Sequence, residues 1–266
     1  MIHSTAIVHK NAIIGQDVEI GAYCIIGDQV KLGDRVILKS HVVVEGPTEI
    51  GEDTIIYPFA AIGTKGQDLK FQEDDQMSGV KIGKRNRIRE YATIQQGTPA
   101  SKGTIVGDDC QIMINAHVAH DCILGNNIIL SNVVQLAGHV EVEDFAIVSG
   151  MAAVHQFCRI GKYAIVGGVS GVANDVLPYS ISDGRPAIYK TLNRVGLSRH
   201  GIGNDDMHAI YEVYKALFDK SDITSSVASR LKEIRKKVKD SPYAMDALDF
   251  IENRSKRGAT DFSKRE

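Results

Sequence analysis

An aliphatic residue returns at every sixth position from the N-terminus onward: Ile2, Val8, Ile14, Ile20, Ile26, Leu32, Leu38, Val44, Ile50, Ile56 and Ile62. Four residues after each of the first ten stands a small or β-branched side chain, namely Ala6, Ala12, Val18, Cys24, Val30, Val36, Val42, Thr48, Thr54 and Ala60. Glycine often follows the aliphatic position, as at Gly15, Gly21, Gly27, Gly33 and Gly51. A helix repeats every 3.6 residues and a strand every two, so a period of six excludes both as the organising rule. The spacing predicts a β-helix of hexapeptides. Each hexad is one short flat strand and a turn, and three hexads close one coil of a triangular prism. The large aliphatic fills the interior and the smaller residue fits where space is tighter. Backbone groups then pair with the coils above and below, about 4.8 Å away.

The register resumes at Ile82, Ile88 and Ile94, blurs around Pro99 to Gly103, and continues from Val106 through Val172, so that the prism extends to about Pro178. Residues 64–80 are out of step and too polar for a coil, and they read as a loop thrown out from one corner. Such excursions from a stiff scaffold commonly carry function. All four cysteines (Cys24, Cys110, Cys122, Cys158) occupy the small-residue position, which marks them as core filler, not as redox or metal groups. Residues 179–189 read as a Gly- and Pro-containing connection. A short helix near residues 191–199 is followed by one with Asn204 as its N-cap, one carrying Val227, Leu231, Ile234 and Val238, and one opening at Ser241-Pro242 that buries Met245, Leu248 and Ile251. The expected division is a β-helix over 1–186 and a small α-helical domain over 187–266. Among 266 residues the formal charge is -2, which offers no global reason to expect nucleic acid. No apolar run is long enough for a transmembrane segment, and the N-terminus has no signal-peptide pattern, so the expected location is cytoplasmic.

With 18 residues per coil, residues 18 apart stack vertically. His120, Gly138 and Gln156 form one column, Asp121, His139 and Phe157 the next, and Ala119, Ala137 and His155 a third. An imidazole beside a carboxylate suits general-base catalysis: His120 accepts a proton from a hydroxyl while Asp121 fixes its tautomer. Gly138 above His120 leaves its backbone N–H open to an oxyanion. No Ser or Cys stands in these columns as a nucleophile, which favours direct attack on a thioester. Three alternatives stay open at this point. Adjacent strand residues face opposite ways, so Asp121 faces away from His120 unless it lies at a turn. The histidines His117, His120 and His139 could hold zinc for a lyase or hydratase. The prism could also be a non-catalytic scaffold or sugar-nucleotide binder.

The chain resembles the UDP-N-acetylglucosamine acyltransferase family of left-handed hexapeptide β-helices. The resemblance rests on Gln67-Asp68-Leu69-Lys70, Arg87 to Glu90, Ile114 to Cys122, Leu136-Ala137-Gly138-His139, Ala153 to Phe157 and Asn174-Asp175-Val176. It implies a left-handed parallel β-helix with a C-terminal helical domain, a homotrimer, and transfer of a 3-hydroxyacyl chain from acyl carrier protein to the glucosamine 3-hydroxyl of UDP-N-acetylglucosamine in lipid A biosynthesis. The donor brings its own phosphopantetheine arm, and no metal or other cofactor is implied. His120 is then the base, Asp121 its assistant and Gly138 the oxyanion donor. Sugar-nucleotide contacts fall on Asp68, Lys70, His117, His139, His155 and Gln156, with nucleotide or phosphate contacts on Asn193 and Arg199. At a second basic position of the family this chain has His200, and Gln95-Gln96 replaces a basic pair. Gly168 matches a position where a larger side chain shortens the acyl pocket, which implies room for a long chain here. Arg194, Arg199, Lys215 and the run Arg235-Lys236-Lys237-Val238-Lys239 offer a docking surface for the acidic carrier.

Overall fold

The computed structural model describes residues 1–70, 72, 75–99, 101–219, 226–253, 255 and 257–259. Its body is a left-handed parallel β-helix. Short strands line up in three sheets along the prism. The first runs from Ile7–Val8 to Gly171–Val172, the second from Ile13–Ile14 to Arg159–Ile160, and the third from Glu19–Ile20 upward. Within a strand, one side chain points in and the next points out. In Ile123–Leu124, Leu124 is 1% exposed while Ile123 is 40% exposed. The aliphatic row from Ile20 to Val172 is buried throughout, and only the open N-terminal coil, with Ile2, Val8 and Ile14, is less covered. The four cysteines are buried and unpaired. Burial pushes the Cys110 thiol up to about 11 and those of Cys122 and Cys158 up to about 12, which suits filler and not chemistry.

Stacked partners are 18 apart, as in Ile7 opposite Ile25 and Gln135 opposite Ala153. Three departures break this spacing; at the top of the prism Ile165 pairs with Ile181, 16 apart, and the other two lie lower. Ile62 pairs with Ile94, and Ile82 pairs with Val106. The first makes room for the loop between Ala61–Thr64 and Val80–Ile82, and the second for a shorter one between Thr93–Gln95 and Thr104–Val106. Because the second adds a whole hexad, the six-residue register passes through it unchanged. Both leave the prism at the same corner, between the first and second sheets.

Nearly every turn carries one residue through the left-handed region, φ near +60°, from Asp17 to Tyr179. A non-glycine residue gives up roughly 1–2 kcal/mol there, and the hydrogen bonds of adjacent coils hold it in place. Asp121 (φ 61) and His139 (φ 60) are two of these residues.

The stretch 179–189, expected as a connection, is instead part of an antiparallel hairpin of Ser180–Gly184 and Ala187–Leu192 that continues the third sheet. Gly184, Arg185 and Pro186 only form its tip, while Ser180, Ser182, Ala187, Tyr189 and Leu192 alternate inward. Four helices follow: α1 (Arg194–Arg199), α2 (Asn204–Phe218), α3 (Val227–Lys237) and α4 (Pro242–Glu252). Asn204 is the first residue of α2 and not its cap; Gly203 holds the cap position with no side-chain bond. Ser226 and Ser241 do cap α3 and α4. Met245 is only half-buried, while Leu248 and Ile251 enter a second core with Tyr179, Leu197, Ile210 and Tyr214. Lys162 and the Tyr179 hydroxyl both reach Asp246, at 2.6 and 2.7 Å, and fasten these helices to the prism.

Two neighbouring substitutions separate the inner row from the outer one. Leu124→Ala should cost about 2–5 kcal/mol by leaving a cavity in a closed coil, and Ile123→Ala less than about 1 kcal/mol. The midpoints of denaturant-induced unfolding decide this, and equal shifts would contradict the inward row.

Candidate active site

The corner between the first and second sheets collects most of the residues singled out from the sequence. His120 and Asp121 lie between His117–Val118 and Ile123–Leu124, Gly138 and His139 one coil above, and His155, Gln156 and Phe157 one coil higher. The left-handed turn at Asp121 settles which way its side chain faces. Instead of alternating, both side chains leave the prism together, and His120 Nδ1 lies 2.8 Å from Asp121 Oδ2. A carboxylate only accepts, so the proton is on Nδ1 and the Nε2 lone pair is available.

Asp121 is almost wholly buried. It also accepts from the Thr98 N–H at 2.9 Å, and its own N–H donates to Thr104 Oγ1 at 2.9 Å. Burial alone would raise this carboxyl, but bonds from His120, Ser101 and Thr98 outweigh it and hold it well below the usual carboxylate range. His139 Nε2 lies 3.5 Å from the same carboxylate, its ring meets the His120 ring edge-on at 5.2 Å, and Phe157 stacks on it at 4.6 Å.

Gly138 covers His120 closely. A Cβ there would sit 2.5 Å from the imidazole, so only glycine lets the ring occupy this place. The Gly138 carbonyl accepts from the Phe157 N–H, while its own N–H donates to no acceptor among the described residues. At the next corner the equivalent N–H groups are capped from one coil above: Asp34 caps Gln16, Asn126 caps Asp108 and Asp144 caps Asn126. Gln156 stands where that cap would be. An open N–H beside a base is what an oxyanion site requires.

His117 lies on the outer face of the first sheet, with Nδ1 at 2.7 Å from Thr93 Oγ1. Burial, and secondarily the charge of His120, hold its imidazole below its ordinary value. The loop that carries Asp68 and Lys70 starts against the catalytic-type pair: a Cβ on Gly66 would lie 3.3 Å from His120 Cβ. Asp68 Oδ1 accepts from the Lys70 N–H at 3.0 Å. Gly168 sits at the corner between the third and first sheets, and a Cβ there would meet only the Gly150 carbonyl, at 3.5 Å. His120, Asp121 and His139 have ligand atoms within 4.8 Å of one another, so this trio, without His117, is the set of described residues that could hold a metal.

Asn193 and Arg199 are not brought to this cluster. Asn193 is buried as the cap of α1, its Oδ1 accepting from the Gly196 N–H and its Nδ2 donating to the Tyr163 carbonyl. Arg199 ends the same helix and is exposed, and His200 packs on Phe145 and Tyr163 at the corner between the second and third sheets. Gln96 is also structural, since Nε2 donates to the Gly46 and Gly63 carbonyls. Of the basic run, Arg235 is paired with Asp249 and Glu252, and Lys236 with Glu233. Sequence reasoning missed Thr93, Thr98, Ser101 and Thr104; the blurred repeat around 99–103 was a signal for the last three, and Thr93 had none.

Residues 175–260 match the family model described as UDP N-acetylglucosamine O-acyltransferase, domain 2, and residues 103–134 match the bacterial transferase hexapeptide, six repeats. The chain is 44% identical over 210 residues to the acyl-[acyl-carrier-protein]--UDP-N-acetylglucosamine O-acyltransferase of Agrobacterium fabrum, covering 79% of this chain and 76% of that one. It is 45% identical to the enzyme of the same name from Sinorhizobium fredii, covering 81% and 78%. The solved UDP-N-acetylglucosamine acyltransferase of Francisella novicida superposes with a TM-score of 0.92 at 38% identity, over 98% of this chain and 94% of that one.

Because burial is the larger cause of the His117 depression, removing the His120 charge should restore only the smaller part of it. Proton NMR titration of the imidazole in the wild type and in His120→Gln measures this. The His117 midpoint stays below that of a free imidazole in both, and full recovery in the variant would refute the ordering.

Proposed function

The chain belongs to the UDP-N-acetylglucosamine O-acyltransferase family, and on that footing we propose that it moves a 3-hydroxyacyl chain from the thioester of acyl carrier protein to the glucosamine 3-hydroxyl of UDP-N-acetylglucosamine, opening lipid A biosynthesis. The observation that carries this reading is the stacked trio of His120, Asp121 and Gly138, with a free lone pair and an open N–H side by side. His120 Nε2 takes the proton of the acceptor hydroxyl as its oxygen attacks the thioester carbon. The buried carboxylate of Asp121 steadies the imidazolium that forms. The Gly138 N–H meets the oxyanion of the tetrahedral intermediate. Its collapse expels the phosphopantetheine thiolate, which takes up the proton held on His120 and leaves the base neutral again. The reaction as written uses no metal and no cofactor apart from the carrier's own arm.

Around this centre, His139, His155 and Gln156 at the corner, His117 on the adjoining sheet face and Asp68 and Lys70 on the loop that leaves the corner would receive the sugar nucleotide. The acyl chain would cross the outer face of the first sheet, past Gln135 and Ala153, toward Gly168. Asn193 and Arg199 lie at another corner, so a nucleotide contact from Arg199 would come from a second copy of the chain, which supports a homotrimer with sites between prisms. The corner between the third and first sheets exposes Tyr23, Phe59, Tyr91, Val133, Met151 and Val169, an apolar stripe of the kind that marks a subunit contact. Among the described residues no helix is long and apolar enough to cross a membrane, and four unpaired thiols fit a reducing cytoplasm. Docking of the acidic carrier falls to Arg194, Arg199 and neighbouring exposed cations, since Arg235 and Lys236 are already paired.

The test is acyl transfer from 3-hydroxyacyl carrier protein to UDP-N-acetylglucosamine, read by mass spectrometry of the product. His120→Ala should lower the rate by roughly 10²–10⁴, and Asp121→Asn by at least about tenfold, with both variants folded. A His120→Ala enzyme as active as the wild type would sink the base assignment.

A further inference from the structure

Arg257 reaches the candidate site from far along the chain. Beyond α4 the chain returns to the prism at the corner that carries His120, and Asp175, which is buried at the top of that corner, anchors it there. Ser255 Oγ donates to Asp175 Oδ1 at 2.6 Å, and the Asp175 N–H donates to the Gly258 carbonyl at 2.7 Å. Asn174 Nδ2 donates to the Arg257 carbonyl at 2.7 Å. Arg159 grips Asp175 through Nε and Nη2, at 3.0 and 2.9 Å, and stacks on Phe250 of α4, so the anchor is itself charge-paired and packed.

Held this way, the Arg257 guanidinium donates from Nε to the Gln156 carbonyl at 3.0 Å and from Nη2 to His155 Nδ1 at 2.7 Å. Arginine has donors only, so the His155 ring accepts from Nη2, which lies nearer to Nδ1, at 2.7 Å, than to Nε2, at 3.4 Å. One fork therefore holds the His155 ring against the Gln156 backbone of the same rung. The guanidinium forms no ion pair with a carboxylate among the described residues. A planar cation without a counter-charge among the described residues, half-buried and hydrogen-bonded on one side, suits the oxygens of a phosphate group.

We infer that Arg257 belongs to the sugar-nucleotide site, orienting His155 and supplying positive charge to the diphosphate. The inference rests on the acyltransferase reading and adds a residue to it. It separates binding of the nucleotide from the chemistry at His120, two coils below.

Steady-state kinetics of Arg257→Ala test it. The KM for UDP-N-acetylglucosamine should rise roughly 10- to 100-fold, as loss of a charge-assisted contact implies, while kcat stays within about threefold and the KM for the acyl carrier protein does not move. Arg257→Lys keeps the charge but not the fork and should fall between the two, and it decides alone if the alanine variant does not fold. An unchanged KM for the sugar nucleotide, or a common shift of kcat and both KM values with a lowered melting temperature, would overturn the inference. Calorimetric binding of UDP to wild type and variant keeps the two readings apart. Wild-type enzyme that binds UDP but transfers no acyl chain refutes the acyltransferase reading alone, whereas equal UDP affinity in wild type and Arg257→Ala refutes the role of Arg257.

Discussion

Vertical pairing of one coil on the next is the constraint on which everything else in this protein depends. A parallel ladder fixes each residue against its partner one coil away, 18 positions in the regular coils, and no side chain in the stack can shift without straining backbone hydrogen bonds above and below. The scaffold is therefore stiff, and it turns linear spacing into three-dimensional geometry. Gly138 covers His120 because it is one coil later, and His139 reaches Asp121 for the same reason. Preorganisation of a base, its orienting carboxylate and an oxyanion donor needs that rigidity, since small displacements of such groups are costly in rate.

The same rigidity explains why the exceptions gather at one corner. Burying a carboxylate as deeply as Asp121 is unfavourable unless its oxygens are met by donors. The regular coil has no donors to spare at that point. The extra hexad between Thr93–Gln95 and Thr104–Val106 brings Thr98 and Ser101 to Asp121, and the longer loop before it brings Gly66 against His120. Both loops are departures from the repeat that surround and support the pair, so the substrate-facing surface is made by what the prism adds and not by the prism itself.

How much of this could be read from residues alone follows from the same physics. The prism, its inward aliphatic row and its buried cysteines were legible because each hexad obeys one steric rule. The columns joining His120 to Gly138 and Asp121 to His139 were legible because stacking is arithmetic. The facing of Asp121 was not, since it depends on a left-handed turn that the residue type does not announce. That Asn193 caps α1 and holds the Tyr163 carbonyl was not legible, since it depends on where the helix begins against the prism. The hairpin 180–192 was hidden by the glycine and proline at its tip. Arg257 had no signal at all, because a contact across 101 positions with no repeat to carry it appears only when the fold is closed.

In the proposed reaction the stacked pair of Gly138 and His120 is the reacting centre. The most direct measurement is the single-turnover rate of acyl transfer in Gly138→Ala, where the added methyl would stand 2.5 Å from the imidazole. The rate should fall roughly 10²-fold or more with the melting temperature of the wild type retained. A rate within about threefold of wild type would contradict this, since the ring could not then hold the place from which it is said to act.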